Sequence, residues 1–336
     1  MIKLLKSLCD LNAVSGDESE VREFIINEIK DFCEYKVDNL GNIIAFKKGK
    51  KAPEKKILVD AHTDEVGLII TNITSDGYLK FGVVGGIEVS ALLQRRVLIN
   101  GKINGVISGK PIHLMGEDER NKLPKAEALY IDIGAASLEE AEKYVALGDR
   151  AVITGDFYIQ GENFVSKAID DRAGCAVLID LIKTYDEYDF YASFSVQEEV
   201  GLRGAKVSAF TVNPDCAIML ESTTAADIAG VEREKTVCVL GKGPAISFMD
   251  KATIYDRNFY NAAINSDICC QVKAAVTGGN NSGAVHLTRE GVRSIAISLP
   301  SRYIHSSSTV ANLSDFENMK KLAVYMLNGI ASGEIE

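Results

Sequence analysis

The chain has 336 residues, 46% hydrophobic and 25% charged, with a formal net charge of -10. That length can bury one large core with a smaller domain beside it. The acidic balance speaks against a nucleic-acid partner, which needs a positive footprint, and no uncharged apolar stretch reaches the roughly 18 residues of a membrane span.

The seven cysteines form no CxxC pair, and most of them lie inside apolar runs. An odd number of such thiols suits a reducing compartment. The N-terminus lacks a long apolar segment followed by a small-residue cleavage site, so a cytoplasmic location is expected.

In chain order, residues 3–12 predict a short amphipathic helix. Ser15-Gly16-Asp17-Glu18 predicts a turn and a cap for a second helix carrying Val21, Phe24, Ile25 and Ile29. Strands are expected at 33–37, 42–47 and 56–60. Residues 68–162 then change texture, with short β-like runs near 67–71, 78–82, 96–99, 105–108 and 128–131. Asp-Gly, Gly-Gly and Asn-Gly turns separate them, and one helical piece falls at 137–147. This predicts a small barrel or sandwich.

From about Lys167 strand and helix alternate again. A helix at 171–185, a strand at 191–197, a short helix after Gly201 and a strand at 216–220 follow one another. Further strands are expected at 269–276 and 294–298 with a helix between them. A last helix runs from a Ser314 cap to Leu327 and buries Phe316, Met319, Leu322, Val324 and Leu327. Continuous apolarity along these strands predicts a sheet covered on both faces. The expected fold is α/β: a three-layer α/β/α domain with a mixed central sheet (1–67 and 163–336), interrupted by a β-rich insertion domain (68–162).

The chain has only four histidines, and two of them stand beside apolar runs that end in acids. His62 and Asp64 follow the run Ile57-Leu58-Val59. Asp64 is placed to accept a hydrogen bond from the imidazole edge turned away from a metal, which would fix the tautomer. Asp170-Asp171 stands at the start of a helix, where one acid can cap and the other is left for another role. Glu198-Glu199 ends a strand, and adjacent carboxylates there repel unless a cation or proton relieves them. One of the pair could ligate a metal while the other takes a proton from water. With Glu221 after Ala217-Ile218-Met219-Leu220 and His305 in the last loop, the candidate ligands are His62, Asp170, Glu199, Glu221 and His305. Two divalent ions are expected. Zinc suits imidazole with carboxylate, and cobalt and manganese also fit.

These segments resemble the M42 family of metallo-aminopeptidases, in VDAHTDEVG, KAIDDRAG, VQEEVGLRGA and SRYIHS, with DIGAASLEEA similar inside the insertion. The resemblance spans essentially the whole chain. It implies that Asp170 bridges two metals, that His62 and Glu221 complete one, and that Glu199 and His305 complete the other. Asp64 would orient His62, and Glu198 would be the general base that activates water against the scissile carbonyl. It also implies a zinc-peptidase fold whose β-rich insertion mediates assembly, with dimers building a hollow homododecamer. The substrates implied are peptides with a free N-terminus, cut one residue at a time.

Two departures stand out. Glu221 occupies a position where many members have Asp. Residues 278–283 read Gly-Gly-Asn-Asn-Ser-Gly where the usual loop is GGTDAG, which is expected to bear on specificity more than on the metal ligands. His286 and His113 are weaker ligand candidates. The competing readings are a metal-dependent deacylase acting on N-acyl bonds, and a metal-bound assembly protein with weak or lost activity.

Overall fold

The computed structural model describes residues 1–336, with every side chain except that of Glu119. Helices α1 (Ile2–Asp10) and α2 (Ser19–Ile29) open the chain, burying Leu5, Leu8 and Cys9, and Val21, Ile25 and Ile29, respectively. These sets recur at the spacing of one helix face. The expected cap of α2 is not made. Glu18 stands at the N-cap position without a side-chain cap bond, because its Oε1 accepts the N–H of Gly16 at 2.6 Å and of Gln197 at 3.3 Å.

Strands β1 (Glu34–Val37), β2 (Ile43–Lys47) and β3 (Ile57–His62) follow. Every residue of β3 is buried, as in a strand packed on both faces. It extends two residues past its expected end, so His62 closes the strand instead of standing beyond it.

The chain then forms β4 (Gly67–Ile73), β5 (Leu79–Val84), β6 (Arg96–Ile99), β7 (Ile103–Ser108), α3 (Glu117–Arg120), β8 (Tyr130–Asp132), α4 (Leu138–Ala141) and β9 (Arg150–Ile153). Among the described residues these six strands close a barrel in the order β4-β5-β8-β7-β6-β9. Alternate residues such as Leu68 and Ile70, or Val97 and Ile99, fill its interior. The helix expected at 137–147 shrinks to α4, where Ser137 caps Glu140.

The remaining elements are β10 (Tyr158–Gln160), β11 (Asn163–Ser166), α5 (Ile169–Thr184), β12 (Phe190–Ser195), α6 (Arg203–Val212), β13 (Cys216–Thr224), β14 (Ala245–Ile246), α7 (Arg257–Ile264), β15 (Gln271–Val272), α8 (Ser282–Val285), β16 (Arg293–Arg302), β17 (Thr309–Asn312) and α9 (Leu313–Ala331). With β1–β3 they form a mixed sheet in the order β1-β2-β12-β3-β13-β16-β17-β11-β10, to which β14 and β15 attach beside β16. Its two faces are covered separately. Ile57, Val59 and Ala61 of β3 pack into the cluster of α1, α2, α5 and α9, whereas Leu58 packs against α6 and α8.

Other sequence expectations shift in detail. β13 runs on to Thr224, so Glu221 lies inside the strand. The strand expected at 269–276 reduces to β15, leaving Cys269 and Cys270 outside it. The cap of α9 is Asn312, which accepts the N–H of Ser314 and Asp315, not Ser314 itself. Phe316, Met319, Leu322 and Leu327 are buried as expected, and Val324 is partly so. No helix among the described residues is long and apolar enough to cross a membrane.

Candidate metal centre

Strands β12, β3, β13 and β16 are parallel, so their C-terminal ends share one edge, where open α/β sheets bind ligands. His62 ends β3 beside Ser195, the last residue of β12. Met219 pairs with Asp60, which brings Glu221 level with His62 two residues further along. Glu198 and Glu199 follow β12, Asp170 enters at the start of α5, and His305 follows β16. The edge is built on strained backbone: Ala168, Gln197 and His305 have φ of 52°, 57° and 60°. A residue with a Cβ pays about 1–2 kcal/mol for that conformation, and such strain gathers where a site must be held.

Asp170 lies between the two histidines. Its Oδ1 is 3.3 Å from His62 Nε2 and its Oδ2 is 3.2 Å from His305 Nε2. Glu199 Oε1 is 3.2 Å from His305 Nε2, and Glu221 Oε2 is 3.9 Å from His62 Nε2. Donors about 2.1 Å from one tetrahedral ion stand roughly 3.4 Å apart, so these spacings fit donors facing a common cation. Two candidate ligand clusters share His62, one with Asp170 and Glu199, the other with Asp171 and Glu221. The nitrogen and oxygen donor set fits divalent ions of the zinc, cobalt or manganese type.

The electrostatics agree with that fit. Among the described residues, neither Lys nor Arg is paired with Asp170, Glu198, Glu199 or Glu221. Burial pushes the Glu198 carboxyl up to about 8, with Glu199, Asp170 and Asp64 adding repulsion against the pull of His62. Burial likewise drives Glu221 well above the usual carboxylate range. Asp170 is held below that range despite its burial, by hydrogen bonds from His305 and His62. Burial disfavours a charged His305, yet Asp170 and Glu199 raise its imidazole to about 11. Carboxylates this crowded need positive charge.

Asp64 stands behind His62. The ring Nδ1 faces the Asp64 backbone carbonyl at 3.1 Å and the carboxylate Oδ1 at 3.4 Å. The carboxylate also accepts Ser15 Oγ–H at 2.6 Å, the Glu198 N–H at 2.9 Å and the Glu199 N–H at 3.2 Å. Asp171, expected as a helix cap, accepts the Gly174 N–H at 2.9 Å and the His62 N–H at 3.3 Å. A side chain at Gly174 would collide with that carboxylate.

Several residues that were not expected among the metal-site groups touch them. The Gly86 carbonyl, on the loop after β5, accepts His305 Nδ1–H at 2.7 Å, so the barrel orients a histidine of the other domain. Ser15 and Glu18 brace Asp64 and the turn at Gln197. Asn281 is fully buried and donates its backbone N–H to Glu221 Oε1 at 3.3 Å. The loop over 278–283 therefore also touches a candidate ligand. His286 turns its Nδ1 to the Ser282 carbonyl at 2.7 Å, and His113 lies in a short turn of the barrel. Neither joins the two clusters.

The M42 glutamyl aminopeptidase family model matches residues 41–322. A putative aminopeptidase of Acetivibrio thermocellus is 42% identical over 331 residues, covering 96% of this chain and 97% of that protein. A TET aminopeptidase from a marine sediment archaeon of the Thaumarchaeota has a solved structure that matches with a TM-score of 0.92. Its sequence is 36% identical, and the match covers 97% of this chain and 95% of that one. The Pyrococcus horikoshii TET1 peptidase, which can assemble into a tetrahedron or a large octahedral shell, matches with a TM-score of 0.84 at 35% identity, covering 98% and 99%. With the family model spanning most of its length on a site of this composition, the chain belongs to the M42 family of metallo-aminopeptidases.

Proposed function

We propose that this metal-dependent aminopeptidase holds two divalent ions through His62, Asp170, Glu199, Glu221 and His305, with Asp170 shared between them. It removes N-terminal residues from peptides with a free amino end. The observation that carries this reading is the Asp170 carboxylate, whose two oxygens face different histidines at 3.3 and 3.2 Å. Two ions bound there would polarise the scissile carbonyl and make water ionisable near neutral pH.

Glu198 is the general base. It is not needed as a ligand in this arrangement, and with two ions offsetting the repulsion from Glu199 and Asp170 its free carboxylate can accept the proton of the attacking water and return it to the leaving amine. Asp64 fixes both ends of that device, the His62 ring and the backbone of Glu198. A cleft lined by Val66, Ile153, Lys167, Ala168 and Thr309 leads to Asp170, Glu199 and His305. The free amino end of a peptide would reach the bound ions through it.

The barrel, with its flanking loops over 68–162, is proposed as an assembly domain. The shells formed by the P. horikoshii TET1 peptidase support a homo-oligomer for this chain, with dimers building a dodecamer. Zinc is the first candidate metal, with cobalt and manganese as substitutes. The seven free thiols support a cytoplasmic setting.

Glu198→Gln tests the mechanism. Metal content should remain at two ions per subunit while peptide turnover falls by roughly 10²–10⁴-fold. Free and N-acetylated forms of the same peptides test the substrate class. Retained turnover in the variant, or equal cleavage of the acetylated peptides, would overturn the reading.

A further inference from the structure

Glu221 and the loop over 278–283 touch each other. Asn281 gives its backbone N–H to Glu221 Oε1 at 3.3 Å, and the other oxygen, Oε2, is the one facing His62 Nε2 at 3.9 Å. A glutamate arm has one more rotatable bond than an aspartate arm, so its carboxylate needs a restraint of its own. The loop backbone supplies that restraint.

The loop is in turn fixed by the Asn281 side chain. Its Nδ2 donates to Asp60 Oδ2 at 2.8 Å and to Ser195 Oγ at 2.9 Å. Asp60 lies in β3 two residues before His62, and Ser195 pairs with His62 across the ladder. One amide therefore staples the loop to the two strands that deliver His62 and the Glu198-Glu199 turn. On the other flank, Asn280 Nδ2 donates to the Tyr255 hydroxyl at 2.9 Å, and the Ser282 N–H donates to Asn280 Oδ1 at 2.8 Å.

We infer that Asn281 is a positioning residue for Glu221, acting through the amide–carboxylate pair it makes with Asp60; this rests on the reading of Glu221 as a metal ligand. The geometry demands a donor at position 281. Asp60 Oδ2 accepts from both Asn281 Nδ2 and Ser195 Oγ, so an acid at position 281 would replace that donor by a second acceptor where both residues are buried. The loop would withdraw, and the Glu221 oxygen would lose its backbone donor. Reversing the pair, with the amide in β3 and the acid in the loop, restores the same hydrogen bond.

The test compares wild type, Asn281→Asp and the exchange variant Asp60→Asn/Asn281→Asp. Zinc affinity is read by chelator competition at pH 8 on metal-stripped protein. Asn281→Asp should weaken the binding of one of the two ions by roughly 10–100-fold, the range seen when a partner behind a ligand is lost. The exchange variant should recover most of that loss. Wild-type affinity in Asn281→Asp, or a folded exchange variant as weak as the single one, overturns the inference. If Asn281→Asp does not fold, the exchange variant decides alone: two tightly held ions support the pair, and misfolding or a single ion refutes it. Fewer than two ions on the wild type would instead sink the metal reading beneath it.

Discussion

Asp64 holds Glu198 by its backbone: one carboxylate oxygen accepts the Glu198 N–H at 2.9 Å, and the other accepts the Glu199 N–H at 3.2 Å. The same residue faces His62 Nδ1 through its carbonyl and carboxylate. One side chain thus sets the ring of a candidate ligand and the turn that carries both the proposed base and another ligand. Asp64→Ala should lower metal affinity by about 10–100-fold and turnover by a similar factor. Ser15→Ala removes one hydrogen bond to the charged group and should cost about 1.5–3 kcal/mol of stability. Metal titration and urea unfolding separate the two effects. Unchanged metal affinity in Asp64→Ala would remove Asp64 from the site.

Metal removal should be visible in stability as well as in activity. Asp170, Glu199 and Glu221 converge on two imidazoles without Lys or Arg partners among the described residues. Each ion present at a hundred times its Kd would stabilise the folded state by about 2.7 kcal/mol. At roughly 2–4 °C per kcal/mol, a chelator should lower Tm by several degrees, and excess zinc should restore it. Scanning calorimetry with and without the chelator makes the comparison. An unchanged Tm would show that these residues hold no ion.

How much of this was legible follows from the physics of the sheet. His62, Glu199 and Glu221 could be found because strands packed on both faces are apolar throughout, so an acid or histidine at the C-terminal edge stands out. Ser15 and Glu18 were misread because a Ser-x-x-Glu step has the composition of a capping box. Here both side chains turn away from the helix, to Asp64 and Gln197. Gly86 could not be found at all, since its contact with His305 joins positions 219 residues apart through a backbone carbonyl that no side chain advertises. Asn281 was seen as an oddity, but its partner Asp60 lies 221 residues away inside what read as core strand.

Behind the site, Glu65 is buried and balanced by two cations. Lys167 Nζ reaches its oxygens at 2.8 and 2.9 Å, and Arg172 NH2 lies at 3.2 Å. Arg172 also donates to the Leu8 carbonyl at 2.6 Å, tying α1 to α5. Lys167→Met would leave a buried carboxylate with half its compensation, so a loss of about 3–5 kcal/mol is expected. Lys167→Met/Glu65→Leu removes the stranded charge and should regain part of it. The denaturant midpoints of the two variants provide the check. A double variant less stable than the single one would show that Glu65 serves chiefly through the Ala13 N–H it accepts.

Arg302 makes a two-bond contact with Asp227, at 2.7 Å from Nε and 2.7 Å from NH2. Arg302 closes β16 three residues before His305, and Asp227 follows β13, so the pair ties together the two loops that leave the metal edge. Burial alone would raise Asp227, but the Arg302 guanidinium outweighs it and holds the carboxyl below its usual range. A folded pKa below the unfolded value of about 3.9 means that the pair stabilises the fold at neutral pH. That contribution fades as pH falls through the lowered folded value. Because Arg302 is partly exposed, screening keeps the effect to about 1 kcal/mol. Arg302→Met should therefore be less stable than wild type at pH 7, and the gap should narrow in acid. If the pair also steadies His305, the variant should bind one ion more weakly even where the stability gap has closed. Equal gaps at pH 7 and pH 3 in urea unfolding would show that Arg302 acts through packing and not through its charge.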